Sequence, residues 1–559
     1  MAEHSYSNLY PLKVCLFLLV SNYFIVSHAQ EYQHLIIYGQ SLSVANQSWP
    51  PLSITPVDGN YMIGNQIWTN FENTDLTHLT PLIADVASTT TTLPKKRDSY
   101  IYAECPLVAA TNHIQLKTGG KYKFIASSCG TGGKTIEELS KEYYNPVYYQ
   151  DFTNTLTYAS SITSSIHCPA IFWMQGEQNY TTPQGSEGLT AGSAPCEDKA
   201  TYKSLLLKIK NNLQANIMKQ YNQTDAPLFI TYQAGVQYTR GDSVAIGMAQ
   251  LEASNENKDI VCAGPVYAMT DRGGHLDPNG YRWFGEMLGK VYYKTKILGE
   301  DFKPLQPLEI MRMDDSKKLK IRFLVPQPPL VLDTKTLDIM TGLGFEIFVN
   351  GSSVELWKVD VDNDCVYLTC GSDLTGDVEV IYAGTNNIGH GNLRDSDAYP
   401  AFFNYLDLDK KNSDKSYVYE RDASETTLRP WYEPKDSDGI IYNKPYPLYN
   451  FCVAFYYKLK AGADSYRVPH LSTGISQTSL DTDTKVYLEG GALKIKSQLS
   501  GIFHIDLLDI SGKTVAAFPV DRSNSQEALS FRLPSLSKGI YFVRIISSKR
   551  NSVSRLFVK

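Results

Sequence analysis

The chain reads as an α/β protein, a parallel sheet flanked by helices, followed by β-sandwich modules. Three observations predict this. From residue 33 to about 300, short apolar runs alternate with longer helical stretches, as in strand–helix–strand units around a parallel sheet. From Pro304 the texture changes to period-2 runs such as Leu319–Val325, Glu346–Val349 and Val378–Tyr382, separated by turn residues. That alternation belongs to half-buried antiparallel strands. Finally, residues 491–559 carry eleven Lys and Arg against four Asp and Glu, in a chain whose net charge is −6. A charge reversal of that size marks a separate module.

Composition narrows the function classes. Hydrophobic residues make up 43% of the 559 positions and charged residues 20%, which suits a folded globular protein. The net negative charge argues against nucleic acid as a partner. Residues 1–29 read as a secretory signal peptide: Lys13 precedes the apolar run Val14–Val20, and Ser27-His28-Ala29 offers small residues before a cleavage point at Gln30. No later stretch is long and apolar enough for a membrane span. Cys15 leaves with that segment, and eight cysteines remain. None is spaced Cys-x-x-Cys, so a structural zinc is not expected. Cys365 and Cys370 are candidates for a bridge.

The expected strands of the α/β region are His34–Tyr38, Tyr122–Ser127, Ala170–Met174, Leu228–Tyr232 and Ile260–Ala263. The expected helices are Thr135–Glu142, Phe152–Ser165, Ala200–Gln220, Val244–Ala253 and Tyr281–Thr295. The module boundaries that follow are 30–303 for the α/β part, 304–470 for a β-sandwich, 471–490 for a polar linker and 491–559 for the basic module. Asp360-x-Asp362-x-Asp364 begins like a calcium loop, but Cys365 and Gly371 occupy the positions that need Gly and Glu.

Chemistry-bearing residues fall just after the strands, where open α/β sheets place their sites. Gly39-Gln40-Ser41-Leu42-Ser43 follows the first strand, and a serine in such a turn is exposed with its own N–H beside it. Gly130-Thr131-Gly132-Gly133-Lys134 follows the second; it fails as a phosphate loop because Cys129 takes the first glycine's place. Trp173-Met174-Gln175-Gly176-Glu177-Gln178-Asn179 follows the third. Asp271-Arg272-Gly273-Gly274-His275-Leu276-Asp277 follows the last, and supplies a histidine able to take a serine's proton.

Together these blocks resemble the SGNH (GDSL-like) hydrolase superfamily, and within it the sialate O-acetylesterase and acetyl-xylan esterase branch. The resemblance covers about half the chain and implies a flavodoxin-like α/β/α domain. It implies Ser41 as nucleophile, His275 as general base, and oxyanion donors from Ser41 N–H, a Gly132 or Gly133 N–H and the Gln175 side chain. Glu177, Asn179 and Arg272 are the candidate substrate contacts. The family places its orienting aspartate three residues before the histidine. Here Arg272 stands there and Asp271 comes four before. Either Gly273-Gly274 absorbs an extra residue and Asp271 completes a triad, or the pair works as a dyad. Asp277 is expected to cap the following helix. The resemblance implies no metal and no organic cofactor.

The C-terminal module also resembles a known family. Leu507–Lys513, Leu536–Ile545 and the basic end Arg555–Lys559 are similar to a type IX secretion sorting domain, which implies a Bacteroidetes-type bacterium, the type IX machinery as partner, and release or surface display. The expected function is a secreted serine esterase that removes O-acetyl groups from a glycan through an acetyl-enzyme. The rival is a non-catalytic glycan-binding or adhesin protein on the same fold. A lipase or peptidase has no supporting signal. An unperturbed histidine near pKa ~6.5 predicts activity lost on acidification through about pH 6–7.

Overall fold

The computed structural model describes residues 31–558 apart from 72–74, 86–101, 182–197, 240, 242, 272–273, 407–434, 437–438, 441–442, 472–484 and, in the basic module, 490–491, 497–500, 510–513, 523–528, 534–535, 537–538 and 548–550. The expected signal peptide, most of the linker and Arg272 lie outside the described residues.

The first half is mixed α/β. Its strands are β1 (Tyr32–Gly39), β2 (Asn60–Ile63), β3 (Leu79–Pro81), β4 (Lys123–Ser128), β5 (Ile166–Met174), β6 (Leu228–Gln233) and β7 (Ile260–Pro265). They form one sheet in the order β3-β2-β4-β1-β5-β6-β7, parallel except for the edge strand β3. Strand β1 has β4 on one side and β5 on the other, in parallel register with both. The chain therefore reverses its direction of travel across the sheet at β1, which makes the end of β1 a topological switch point. Leu35, Ile36, Ile37 and Tyr38 are fully buried, as a strand covered on both faces must be.

The helices are α1 (Pro106–Lys117), α2 (Val147–Ile162), α3 (Glu177–Thr181), α4 (Lys199–Tyr221), α5 (Ala245–Glu256) and α6 (Pro278–Tyr292). Four of the five expected helices are present with shifted ends. Thr135–Glu142 is not a helix. The Glu138 carboxylate does accept the Thr135 N–H, as at a helix start. Propagation then stops, because the Leu139 carbonyl takes the Tyr38 hydroxyl and Pro146 follows. Helix α1, not expected, starts with Pro106 at its first turn and buries ten of its residues. It crosses α6 closely through two glycines: a Cβ on Gly285 would lie 2.3 Å from the Pro106 carbonyl oxygen, and one on Gly289 would lie 2.7 Å from the His113 Cβ.

Residues 306–467 contribute two antiparallel sheets of five and four strands. Phe323 of one meets Phe455 of the other edge to face. Their core is continuous with that of the α/β half. Helix α6 is the shared wall. Its Glu286 carboxylate accepts the Phe402 and Phe403 N–H groups at 2.7 and 2.9 Å. Lys290 pairs with Asp397 at 2.8 Å, and the Asn279 amide bonds both the N–H and the carbonyl of Leu406. Cys365 and Cys370 stand at the two ends of one strand and are unbridged, as are all seven described cysteines. The strands from residue 485 onward bury a separate small core around Leu493, Ile505, Leu507 and Val543.

Candidate active site

A cavity of about 590 Å³ opens at the carboxyl end of β1 and is lined by Ser41, Gly132, Gly133, Glu177 and His275 together with Gln40 and Asn46. Phe71, Tyr102 and Tyr238 supply its apolar walls. Asn46 and these aromatics were not among the expected site residues: Tyr238 lies on a short 3-10 turn and the others on irregular segments that only the fold brings to the switch point.

The serine turn is held by close backbone packing. Gly39 has φ +152°, and a Cβ there would lie 2.0 Å from the Met174 carbonyl oxygen, so only glycine fits. That same carbonyl accepts the Gln40 N–H at 2.8 Å. The chain bends sharply and presents Ser41, which is 7% exposed, to the cavity. The Gly130 loop closes on this turn from the other side, where Thr131 N–H bonds the Gly39 carbonyl at 2.9 Å. Gly132 lies over Ser41, with Ser41 Cβ 3.9 Å from the position of a Gly132 Cβ, whereas Gly133 faces open space with φ +69°. Among the described residues, no protein acceptor takes the Ser41 or the Gly132 N–H. Two unengaged donors thus flank one hydroxyl, an arrangement suited to an oxyanion.

His275 reaches the same cavity from the loop before α6, edge-on to the Tyr238 ring. Burial alone lowers its pKa to about 4, since a low-dielectric surrounding disfavours imidazolium. The expectation of an ordinary histidine titrating near pH 6–7 is corrected accordingly. No hydrogen bond joins His275 to Ser41 or to a carboxylate among the described residues. Asp271 is buried, and its carboxylate accepts the Gly274 N–H at 3.1 Å, shaping the loop that carries His275. Asp277 caps α6, accepting the Gly280 N–H and the Thr270 hydroxyl, both at 2.7 Å.

The Gln175 block divides. Glu177 lines the cavity; the Tyr232 hydroxyl donates to one of its carboxylate oxygens, and the other is buried without a partner. Burial raises its pKa to about 7. Gln175 and Asn179 do not reach the cavity. The Gln175 amide donates to the Lys134 carbonyl and the Asn179 side-chain oxygen, and its own oxygen accepts the Tyr202 hydroxyl. Asn179 also accepts the Ile136 N–H and donates to Glu137. Both are fully buried, and they hold the second-strand loop against the third. Among the described residues, no three His, Cys, Asp or Glu gather as metal ligands.

Residues 490–559 match the secretion system C-terminal sorting domain family. This module marks the chain for secretion or the cell surface, and no helix among the described residues is long and apolar enough to cross a membrane. No curated protein matches the chain. Among solved structures it is similar to a carbohydrate acetylesterase from Xanthomonas citri, at 14% identity over 65% of this chain and 77% of that one with a TM-score of 0.41. It is also similar to a protein from Arabidopsis thaliana, at 14% identity over 47% and 98% with a TM-score of 0.32. NanS is a third, at 13% identity over 42% and 78% with a TM-score of 0.30.

Proposed function

We propose that the chain is a serine esterase of the SGNH type that removes O-acetyl groups from carbohydrate outside the cell, exported through the type IX pathway. The observation that carries this reading is the grouping of Ser41, His275 and the unengaged Ser41 and Gly132 N–H groups around one cavity at the end of β1. Ser41 Oγ bonds to the acetyl carbon while its proton passes to His275. The carbonyl electron pair moves to the oxygen, where the two backbone N–H groups stabilise it. The oxyanion collapses and expels the sugar oxygen, which leaves with the proton from His275. Water then attacks the acetyl-enzyme while His275 takes its proton; the tetrahedral intermediate collapses, Ser41 Oγ leaves with that proton from His275, and acetate departs.

His275 is neutral throughout the neutral pH range because burial has lowered its pKa, so it is ready to accept a proton. The geometry supports a Ser41–His275 pair, with Asp271 acting through the loop. The aromatic walls and the unpartnered Glu177 oxygen suit a sugar, whose rings stack on aromatic faces and whose hydroxyls need acceptors. Acetate release from acetylated polysaccharides and acetylated sialic acids tests the reading. Ser41→Ala should lower it by about 10³-fold or more. A protein that binds glycan without releasing acetate, or a Ser41→Ala variant with full turnover, would replace it with the non-catalytic alternative.

A further inference from the structure

We infer that the side-chain amide of Gln40 donates a hydrogen bond to the acyl oxygen of the substrate, the part that the sequence motif gives to Gln175. This rests on the esterase reading. An oxyanion site of this kind has two backbone donors here, from Ser41 and Gly132, and a side-chain amide would complete it. Gln175 does not supply one, since its amide is held by Lys134 and Asn179 away from the cavity.

Gln40 is placed to do so. It precedes Ser41, lines the cavity and is 3% exposed. Its side-chain oxygen accepts two backbone N–H groups, from Gly176 at 3.3 Å and Gln178 at 3.1 Å. Two donors on one atom identify that atom as the carbonyl oxygen, so the orientation of the amide follows from chemistry. The NH2 group is left on the other side, and among the described residues no protein acceptor takes its hydrogens. A buried amide clamped at its oxygen and unengaged at its nitrogen is a preorganised donor: its direction is set before substrate arrives, and no reorganisation accompanies the reaction. Tetrahedral attack on the acetyl group places negative charge beside the residue that follows Gln40, within reach of a side chain of this length.

Two substitutions in the full chain separate donor from scaffold. Gln40→Glu keeps an acceptor for the Gly176 and Gln178 N–H groups and replaces the donor by a carboxylate. It should lower kcat on 4-nitrophenyl acetate by about 10²-fold, with KM changed by less than about threefold and Tm unchanged. Gln40→Met removes both functions without adding charge, so it should lose kcat by a similar factor and lower Tm as well. Gln40→Glu with wild-type kcat overturns the inference and leaves the esterase reading standing. A slow Gln40→Glu beside a fast, folded Gln40→Met also overturns it, because the added charge then explains the loss. Loss that appears only in KM makes Gln40 a binding contact and overturns it too. A wild-type chain that releases no acetate from any ester overturns both readings.

Discussion

Gly132 lies against Ser41: a Cβ built on the glycine comes to 3.9 Å from the serine Cβ and 3.8 Å from the Tyr102 hydroxyl. These are ordinary contact distances, and the Gly132 backbone is not in the left-handed region, so an alanine fits without strain. Its methyl would nonetheless occupy the space above the Ser41 hydroxyl. Gly132→Ala should therefore fold with an unchanged Tm and lose about 10-fold or more in kcat/KM. Gly133→Ala should do the reverse, because its φ of +69° is disfavoured for alanine while open space surrounds it. Its Tm should fall, by a cost of about 1 kcal/mol, with activity largely kept. Steady-state kinetics and thermal melts of the two variants check the contrast.

The acid limb of the pH profile should report His275. Its pKa is lowered to about 4 in the folded state, so kcat/KM should hold down to about pH 5 and fall only below that. An inflection between pH 6 and 7 that persists in Glu177→Gln would mean that the histidine is solvated. The stability sign is set by the same shift. Below pH ~6.5 the unfolded chain binds a proton that the folded chain refuses until about pH 4, so this residue's contribution falls as pH drops through that window.

Glu177 has the opposite linkage. Its folded pKa is raised to about 7 by burial, so between the ordinary carboxylate value and pH 7 the folded protein holds a proton that the unfolded chain has released. Stability from this group is present at low pH and lost as pH rises, by on the order of 3 kcal/mol. Glu177→Gln keeps an acceptor for Tyr232 and removes the ionisation. The variant should melt above the wild type at pH 8 and close to it at pH 5, by calorimetry at both values.

Asp271 and Asp277 bracket His275 and have different tasks. Asp271→Asn retains an oxygen for the Gly274 N–H and should cost only a few-fold in kcat, as expected for a loop residue in a Ser41–His275 dyad. A loss of about 10²-fold or more would assign it to a triad. Asp277→Asn keeps a capping oxygen for α6 and should lower stability by about 1 kcal/mol at most with kcat almost unchanged.

Five of the six parallel strands were legible because burial on both faces writes them as apolar runs, Leu35 to Tyr38 being the clearest, whereas the four-residue β2 was not. The serine and histidine turns were legible because they follow such runs. Helix α1 was not, since it is buried on nearly every side and shows no period. Thr135 to Glu142 misled for a definable reason: the local start signal is genuine, but the Leu139 carbonyl is taken by the Tyr38 hydroxyl and no helix follows. Gln175 carries the motif's amide but not its geometry, because sequence cannot tell an amide with partners from one without. Gln40, two residues into the most recognisable motif, is distinguished only by which of its atoms is held.

Helix α6 also sets what can be exchanged between proteins. The residues that close over it, Asp397, Phe402, Phe403 and Leu406, lie a hundred or more positions downstream of it. The first half therefore cannot be transplanted as a self-contained cassette. Cut before residue 304, it would turn the buried Lys290 and Trp283 out to water and leave Glu286 without the Phe402 and Phe403 N–H groups. Recombination that preserves the cavity around Ser41 would have to carry both halves, with the sorting module the natural part to trade.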